Sequence, residues 1–284
     1  MSDRWGFGIV RSNDWSDGKA SFEALCELAS KAGGIPFEPV MTSSYDELAA
    51  AIREREVGLA WLPPVPTIHL QARGVASVLA IPARRGATSY HAAFIARRGG
   101  PKTLAELRGR RAAWVQRDSA AGYLVPRMHL AAQGFDVLRF FARELFVHSH
   151  SGVIDAVLNG DADVGATFCS VDAASGRVVR SAWQDENGTS IRPVEVIATM
   201  GPIPNDALVA SSEVPAAARS ALTRWLLTLD GQAKEIFDSL LGSGDFRVPA
   251  LDHYEVLRHA LRAAHARGHD ALPPSSRMRM RVGR

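Results

Sequence analysis

Cysteine is scarce in this chain of 284 residues: only Cys26 and Cys169 occur. That excludes a disulfide scaffold and any four-cysteine zinc site. No apolar run reaches the roughly 18 residues that a membrane span requires. A phosphate loop, a nucleophile elbow and a metal-ligand cluster are all missing, so no cofactor is expected. A basic stripe with interleaved aromatics is missing too. The net charge of +3 comes from the end of the chain, where Arg277, Arg279, Arg281 and Arg284 stand without an acid. Taking those four charges away from +3 leaves −1. The body is near neutral, nucleic acid is not an expected partner, and residues 273–284 read as a disordered basic tail. No secretory leader or lipobox cysteine stands before Trp5-Gly6-Phe7-Gly8-Ile9-Val10. The expectation is a cytoplasmic protein as written, or a periplasmic one if Met1 is not the native start.

Apolar residues are plentiful, at 46%. They suffice for a real core, and the length fits two domains of about 130 residues. Their periodicity alternates. Strand patterns at 5–10, 36–40, 57–61 and 77–81 alternate with helical ones at 18–32 and 45–55, the latter entered through Thr42-Ser43-Ser44. The apolar strand 57–61 stops at Pro63-Pro64. This βαβαβ order predicts a parallel sheet covered on both faces. The pattern then restarts, with strands at 90–97, 111–116, 145–148, 164–168 and 194–198 and helices at 103–107, 121–133 and 151–159. It closes with a strand at 207–210 and helices at 214–229, 231–241 and 252–267. Crossovers near 82–90 and 198–206, rich in Gly, Pro, Ser or Thr, read as hinges, with Asn205 and Asp206 marking the second. The expectation is an α/β chain with a discontinuous lobe I, 1–86 plus 205–284, around a continuous lobe II, 87–204. Tyr254, Leu257, Leu261 and Ala264 form a stripe on the last helix, expected to pack on lobe I.

Several segments resemble one family. Ser44-Tyr45-Asp46-Glu47-Leu48 and Glu56-Val57-Gly58-Leu59-Ala60-Trp61-Leu62-Pro63-Pro64 resemble the first-lobe signature of PhnD-type phosphonate/phosphite/phosphate-binding proteins. Leu104–Arg111, a strand, and Asp118-Ser119-Ala120-Ala121-Gly122-Tyr123 resemble its second-lobe opening. Ser149-His150 followed by Ala156–Ala166 resembles the next strand–helix unit. The likeness covers about residues 5–260. It implies a two-lobe type II periplasmic-binding-protein fold that closes on a small oxyanion.

Asp118–Tyr123 follows a buried strand and opens a helix, where free N–H groups and the helix dipole favour an anion. Taken alone the turn is an ordinary N-cap with Ser119 as the capping residue; the resemblance favours ligand contact from Ser119, Ala120, Ala121, Gly122 and Tyr123. Family members often carry hydroxyl residues where Ala120 and Ala121 stand, so the ligand is a phosphonate or phosphate held largely by backbone, or a carboxylate. Tyr45, Tyr90 and His150 match family positions that reach the ligand. Trp61 either walls the pocket or packs in the core. His148 should share a face with His150 if its strand continues that far, and His91 is a weaker candidate. Cys169 follows a strand end where open sheets place ligand contacts, or is a buried inert thiol. Related proteins often have an acid near that point, and Asp172 could substitute. Ser12 and Trp15, at the exit of the first strand, offer a hydroxyl and a lid.

The resulting expectation is non-catalytic binding of a small oxyanion in an interlobe cleft. The chain would serve as an ABC-transporter-type substrate-binding protein, with a permease partner, or as an intracellular sensor or carrier. The alternative is a cytosolic enzyme on the same fold, using Cys169 and His150 as a thiol–imidazole pair. The basic tail or the last helix could also serve as a protein-interaction module.

Overall fold

The structure, a computed structural model, describes residues 4–10, 18–117, 119–172, 174–185 and 187–266. Ser12, Trp15, Asp118 and the tail 273–284 lie outside the described residues. The chain divides into two compact units: the chain up to Ser89 with Pro204–Tyr254, and Tyr90–Ile203 with the chain from Glu255 onward.

The first unit runs β1 (Trp5–Val10), α1 (Gly18–Gly33), β2 (Phe37–Thr42), α2 (Tyr45–Arg53), β3 (Val57–Leu62), α3 (Pro64–Ala72) and β4 (Ala76–Pro82). Helix α3 stands where Pro63-Pro64 suggested only a stop. Proline is well tolerated in the first turn, where its missing N–H has no partner to lose. Val65, Ile68 and Leu70 are all buried, which blurs the one-sided periodicity that marks a surface helix.

The second unit contains β5 (Ser89–Arg97), β6 (Arg111–Trp114), α4 (Val125–Ala132), β7 (Arg143–Phe146), α5 (His150–Asn159), β8 (Val164–Val171), β9 (Val178–Ser181) and β10 (Val194–Pro204). The chain then returns to the first unit through β11 (Ala207–Ser211), α6 (Ala216–Leu227), α7 (Gly231–Leu241) and β12 (Phe246–Arg247), before α8 (Glu255–Ala266). Strand β10 runs on to Pro204, through most of the segment expected to be a loose crossover at 198–206.

The first sheet has the order β12-β4-β11-β3-β1-β2. β1 pairs in parallel with β2 and β3. The returning strand β11 is antiparallel and lies between β3 and β4. The expected all-parallel sheet is therefore mixed, because a strand contributed by the return of the chain cannot be read from local periodicity. Phe7, Phe22, Leu25, Phe237 and Phe246 fill its core.

The second sheet has the order β10-β5-β8-β6-β7, with β9 paired to β8. Successive side chains of β6 point to opposite faces. Ala113 and Val115 pack with Val153, Ala156 and Val157 of α5. Trp114 instead meets Tyr123 and Phe141 edge to face. Helices α4 and α5 thus cover opposite faces. The closing helix α8, expected to pack on lobe I, groups with this unit and lies against α4. Its apolar stripe signals burial but not which surface buries it.

The segments that link β4 to β5 and β10 to β11 are pinned within the first unit. Asn205 is almost fully buried. Its side-chain N–H groups donate to the carbonyls of Pro82 at 2.9 Å and Ala87 at 3.0 Å. Arg84 pairs with Asp206 at 3.3 Å and donates to the Leu241 carbonyl. Asn205→Ala removes a donor from the buried Pro82 carbonyl and from the Ala87 carbonyl, which keeps the Arg84 N–H. Urea unfolding should show a loss of about 2–4 kcal/mol.

Candidate functional site

β6 and β7 lie side by side in parallel, so their carboxyl ends meet at one edge of the sheet. Each leads into a helix through the same local device. After β6, Ser119 Oγ accepts from the Gly122 N–H at 3.0 Å. After β7, Ser149 Oγ accepts from the Gly152 N–H at 3.0 Å. Both are Ser-x-x-Gly caps on extended backbone. They are laced together, since the Val147 and His148 N–H groups donate to the Trp114 and Val115 carbonyls at 2.9 Å.

Glycine is required at the fourth position of each cap by close approach. A Cβ on Gly122 would lie 2.4 Å from Val115 Cγ2 and 2.8 Å from Ser119 Oγ, and one on Gly152 would lie 2.9 Å from Ser149 Oγ. Gly122→Ala should therefore destabilise the fold by about 1–3 kcal/mol through overpacking, read as a drop in melting temperature.

The first cap opens a single π-helical turn, Ala120–Leu124, which runs directly into α4. The first N–H groups of a helix have no carbonyl of their own to meet, and they carry the positive end of the dipole. Ser119, being an acceptor for Gly122, keeps its own hydroxyl hydrogen free to donate. Ala120 and Ala121 are buried. Apart from that hydroxyl, this turn offers backbone donors.

His150 is the first residue of α5. Its Nδ1 shares a 2.9 Å hydrogen bond with the Oγ1 of Thr167, a fully buried residue of β8. Its ring stands edge-on to Phe168, with centroids 5.0 Å apart. Burial lowers the pKa to about 4, so the ring is neutral near pH 7. In the tautomer in which Thr167 donates to Nδ1, Nε2 carries the proton and is a neutral donor. His148 does not share a face with it. β7 ends at Phe146, and His148 is exposed with a left-handed φ of 61°.

Tyr123 lies deep in the second unit. Its hydroxyl accepts from Arg117 Nη1 at 3.1 Å, and its ring lies under Arg127 at 5.0 Å. Arg127 is buried and bonds Glu144 at 2.8 Å and the Val137 carbonyl at 2.9 Å. The same Glu144 oxygen accepts from Trp114 Nε1 at 2.7 Å. This polar cluster under the α4 face carries no local motif, and sequence reasoning missed it.

Cys169 is fully buried among Ala93, Ile95, Ile154 and Trp183. Burial pushes its thiol to about 12, so it offers no thiolate near neutral pH. Asp172 is taken up by its own turn, accepting from the N–H and hydroxyl of Ser175 at 2.8 and 2.7 Å. Tyr90 is half-buried on β5. His91 is half-buried beside it, and its buried Nδ1 has no partner among the described residues. Tyr45 and Trp61 belong to the first unit. Tyr45 is half-buried at the start of α2, whose cap is Ser44. Trp61 is core, packed edge-on against Phe246. The described residues contain no cluster of three or more groups fit to hold a metal, and none of their helices is long and apolar enough to cross a membrane.

This architecture is that of the type II periplasmic binding proteins. The chain belongs to the family of periplasmic substrate-binding proteins of phosphonate ABC transporters, which it matches over residues 7–254. XAC2383 of Xanthomonas citri, solved bound to chloride, is 21% identical with a TM-score of 0.76, covering 94% of this chain and 100% of that one. PhnD1 of Prochlorococcus marinus, solved with methylphosphonate, is 16% identical with a TM-score of 0.70, over 93% and 98% of the two chains. The aliphatic sulphonate-binding protein SsuA of Escherichia coli is 14% identical with a TM-score of 0.54, over 94% of each. At these identities the likeness is one of fold.

Proposed function

We propose that this chain binds a small tetrahedral oxyanion, a phosphonate or phosphate, and delivers it to the permease of an ABC transporter. The observation that carries the proposal is the pair of Ser-x-x-Gly caps on β6 and β7. Two first helical turns with spare N–H groups open at one sheet edge, with the Ser119 hydroxyl on one and neutral His150 on the other. Donors of this kind suit an oxyanion, and those that belong to the backbone cost nothing to orient when it arrives. Ser119, Ala120, Ala121, Gly122 and His150 are the proposed contacts of the second unit, with Tyr90 and Tyr123 beside them.

Cys169 and Trp61 drop out of the proposed contact set, since both are core residues. No step of covalent chemistry is proposed. A thiol at about 12 is not a nucleophile near neutrality, and the Nδ1 of its suggested partner is engaged by Thr167. We infer that the protein works in the periplasm, the compartment of its family, and fractionation of native cells checks that reading.

A thermal-shift series with phosphate, phosphite, methylphosphonate and small carboxylates tests the reading. A ligand at 100 times its dissociation constant should add about 2.7 kcal/mol of stability. Phosphate or methylphosphonate should give the largest shift. A larger shift with a carboxylate would move the ligand class, and no shift with any of them would contradict the proposal.

A further inference from the structure

Arg117 stands two residues before the Ser119 cap and is exposed. It is held in place nonetheless. Its guanidinium lies 4.8 Å from the ring of Phe146, the last residue of β7, and 5.8 Å from the ring of Tyr123. One N–H donates to the Tyr123 hydroxyl at 3.1 Å. Tyr123 thus sits against two guanidinium groups of opposite fate. Arg127 is buried and neutralised by Glu144. Arg117 forms no ion pair with any carboxylate among the described residues. Two aromatic faces and a phenol hold it, and neither cancels its charge.

A guanidinium has five N–H donors, and only one of them is committed here. Tyr123, having accepted from Arg117, keeps its own hydroxyl hydrogen to give. Its burial raises its pKa and keeps it a neutral phenol. The two side chains form a donor pair whose residues flank the Ser119 cap in the chain. The rest of the proposed second-unit site contributes partial charges only, namely peptide N–H groups, a hydroxyl and a neutral imidazole. Each such group holds a dianion more firmly than a monoanion, and a full positive charge widens that difference further.

We infer that Arg117, steadied by Phe146 and Tyr123, is the charge-selecting residue of this binding protein and favours dianionic over monoanionic tetrahedral ligands. This rests on the anion site proposed above.

The test is calorimetric titration of the intact protein in mildly alkaline buffer. Phosphate and methylphosphonate serve as the dianions and methanesulfonate as the monoanion of similar shape. Wild type should favour the dianions. Arg117→Gln should weaken them at least about tenfold and methanesulfonate clearly less, by about threefold for a tenfold loss of the dianions. Arg117→Lys keeps the charge and should retain most of the preference, separating charge from packing. An equal loss for all three anions would make Arg117 merely structural and overturn the inference. Unchanged dianion affinity in Arg117→Gln would overturn it as well. Failure of wild type to bind any of the three would instead contradict the anion site itself, and the inference with it.

Discussion

Arg127→Met should cost about 3–5 kcal/mol of stability. The arginine is almost fully buried, and two of its nitrogens are committed, one to Glu144 and one to the Val137 carbonyl. Removing it leaves a half-buried carboxylate whose remaining hydrogen-bond donor among the described residues is the Trp114 N–H, and takes the arginine's N–H from the Val137 carbonyl. It also takes the cation from the Tyr123 face. The cost is one of stranding a charge, not of losing a favourable pair. Changing Glu144 to Gln in the same chain should therefore recover part of it, a coupling that a double-mutant cycle in urea would measure. Tyr123 begins the passage from the π-helical turn to α4, so the damage should spread to the first cap. Anion affinity should fall along with stability. Glu144 is itself partly exposed, so a loss under about 1 kcal/mol for Arg127→Met would mean that water takes the place of the arginine at little cost.

The second large effect is on pH dependence. His150 is held to about 4 by burial, against an ordinary value near 6.5. The unfolded chain binds a proton at this residue through that interval and the folded protein does not. Stability from His150 is thus fully present above about pH 6.5 and is lost as pH falls towards 4, by about 3 kcal/mol in all. Burial also lowers His69, His91, His129 and His253, so the whole protein should soften in the same window. The part owed to His150 is the difference between wild type and His150→Gln, which should show a shallower slope between pH 6.5 and 4. An oxyanion seated at the head of α5 would raise the histidine pKa. Its binding should therefore draw in protons in acidic buffer, and calorimetry in buffers of different ionisation enthalpy would detect them. Equal slopes for the two proteins would place the His150 ring in water.

The local parts of this fold were legible in the sequence. Ser44-Tyr45-Asp46-Glu47 marked the start of α2, and Gly122 lies in the turn read at residues 118–123. A capping serine and a close-packed glycine act within four residues, so a one-dimensional reading sees them. What escaped is what the return of the chain brings. β11 inserts antiparallel between β3 and β4, and α8 settles on α4, because neither partner is near in sequence. Helix α3 escaped because proline opens it and apolar residues surround it. The candidate site was half legible. Ser119 and His150 stand at helix starts, as their motifs suggested. Trp61 and Cys169 were ambiguous between site and core, and burial assigned both to the core. Arg117 and Arg127 carried no motif. Their roles come from Phe146, Tyr123 and Glu144, residues that only the pairing of β6 with β7 brings near.

The claim that matters most is that the two capped turns of the second unit bind an oxyanion. Backbone amide NMR during a methylphosphonate titration tests it most directly, since it reports both binding and place. The amides of Ala120, Ala121 and Gly122 and those of His150, Ser151 and Gly152 should shift together and saturate at one ligand per chain. If the ligand moves none of these amides, or moves only amides elsewhere, the two caps serve the fold alone and the account of the site is wrong.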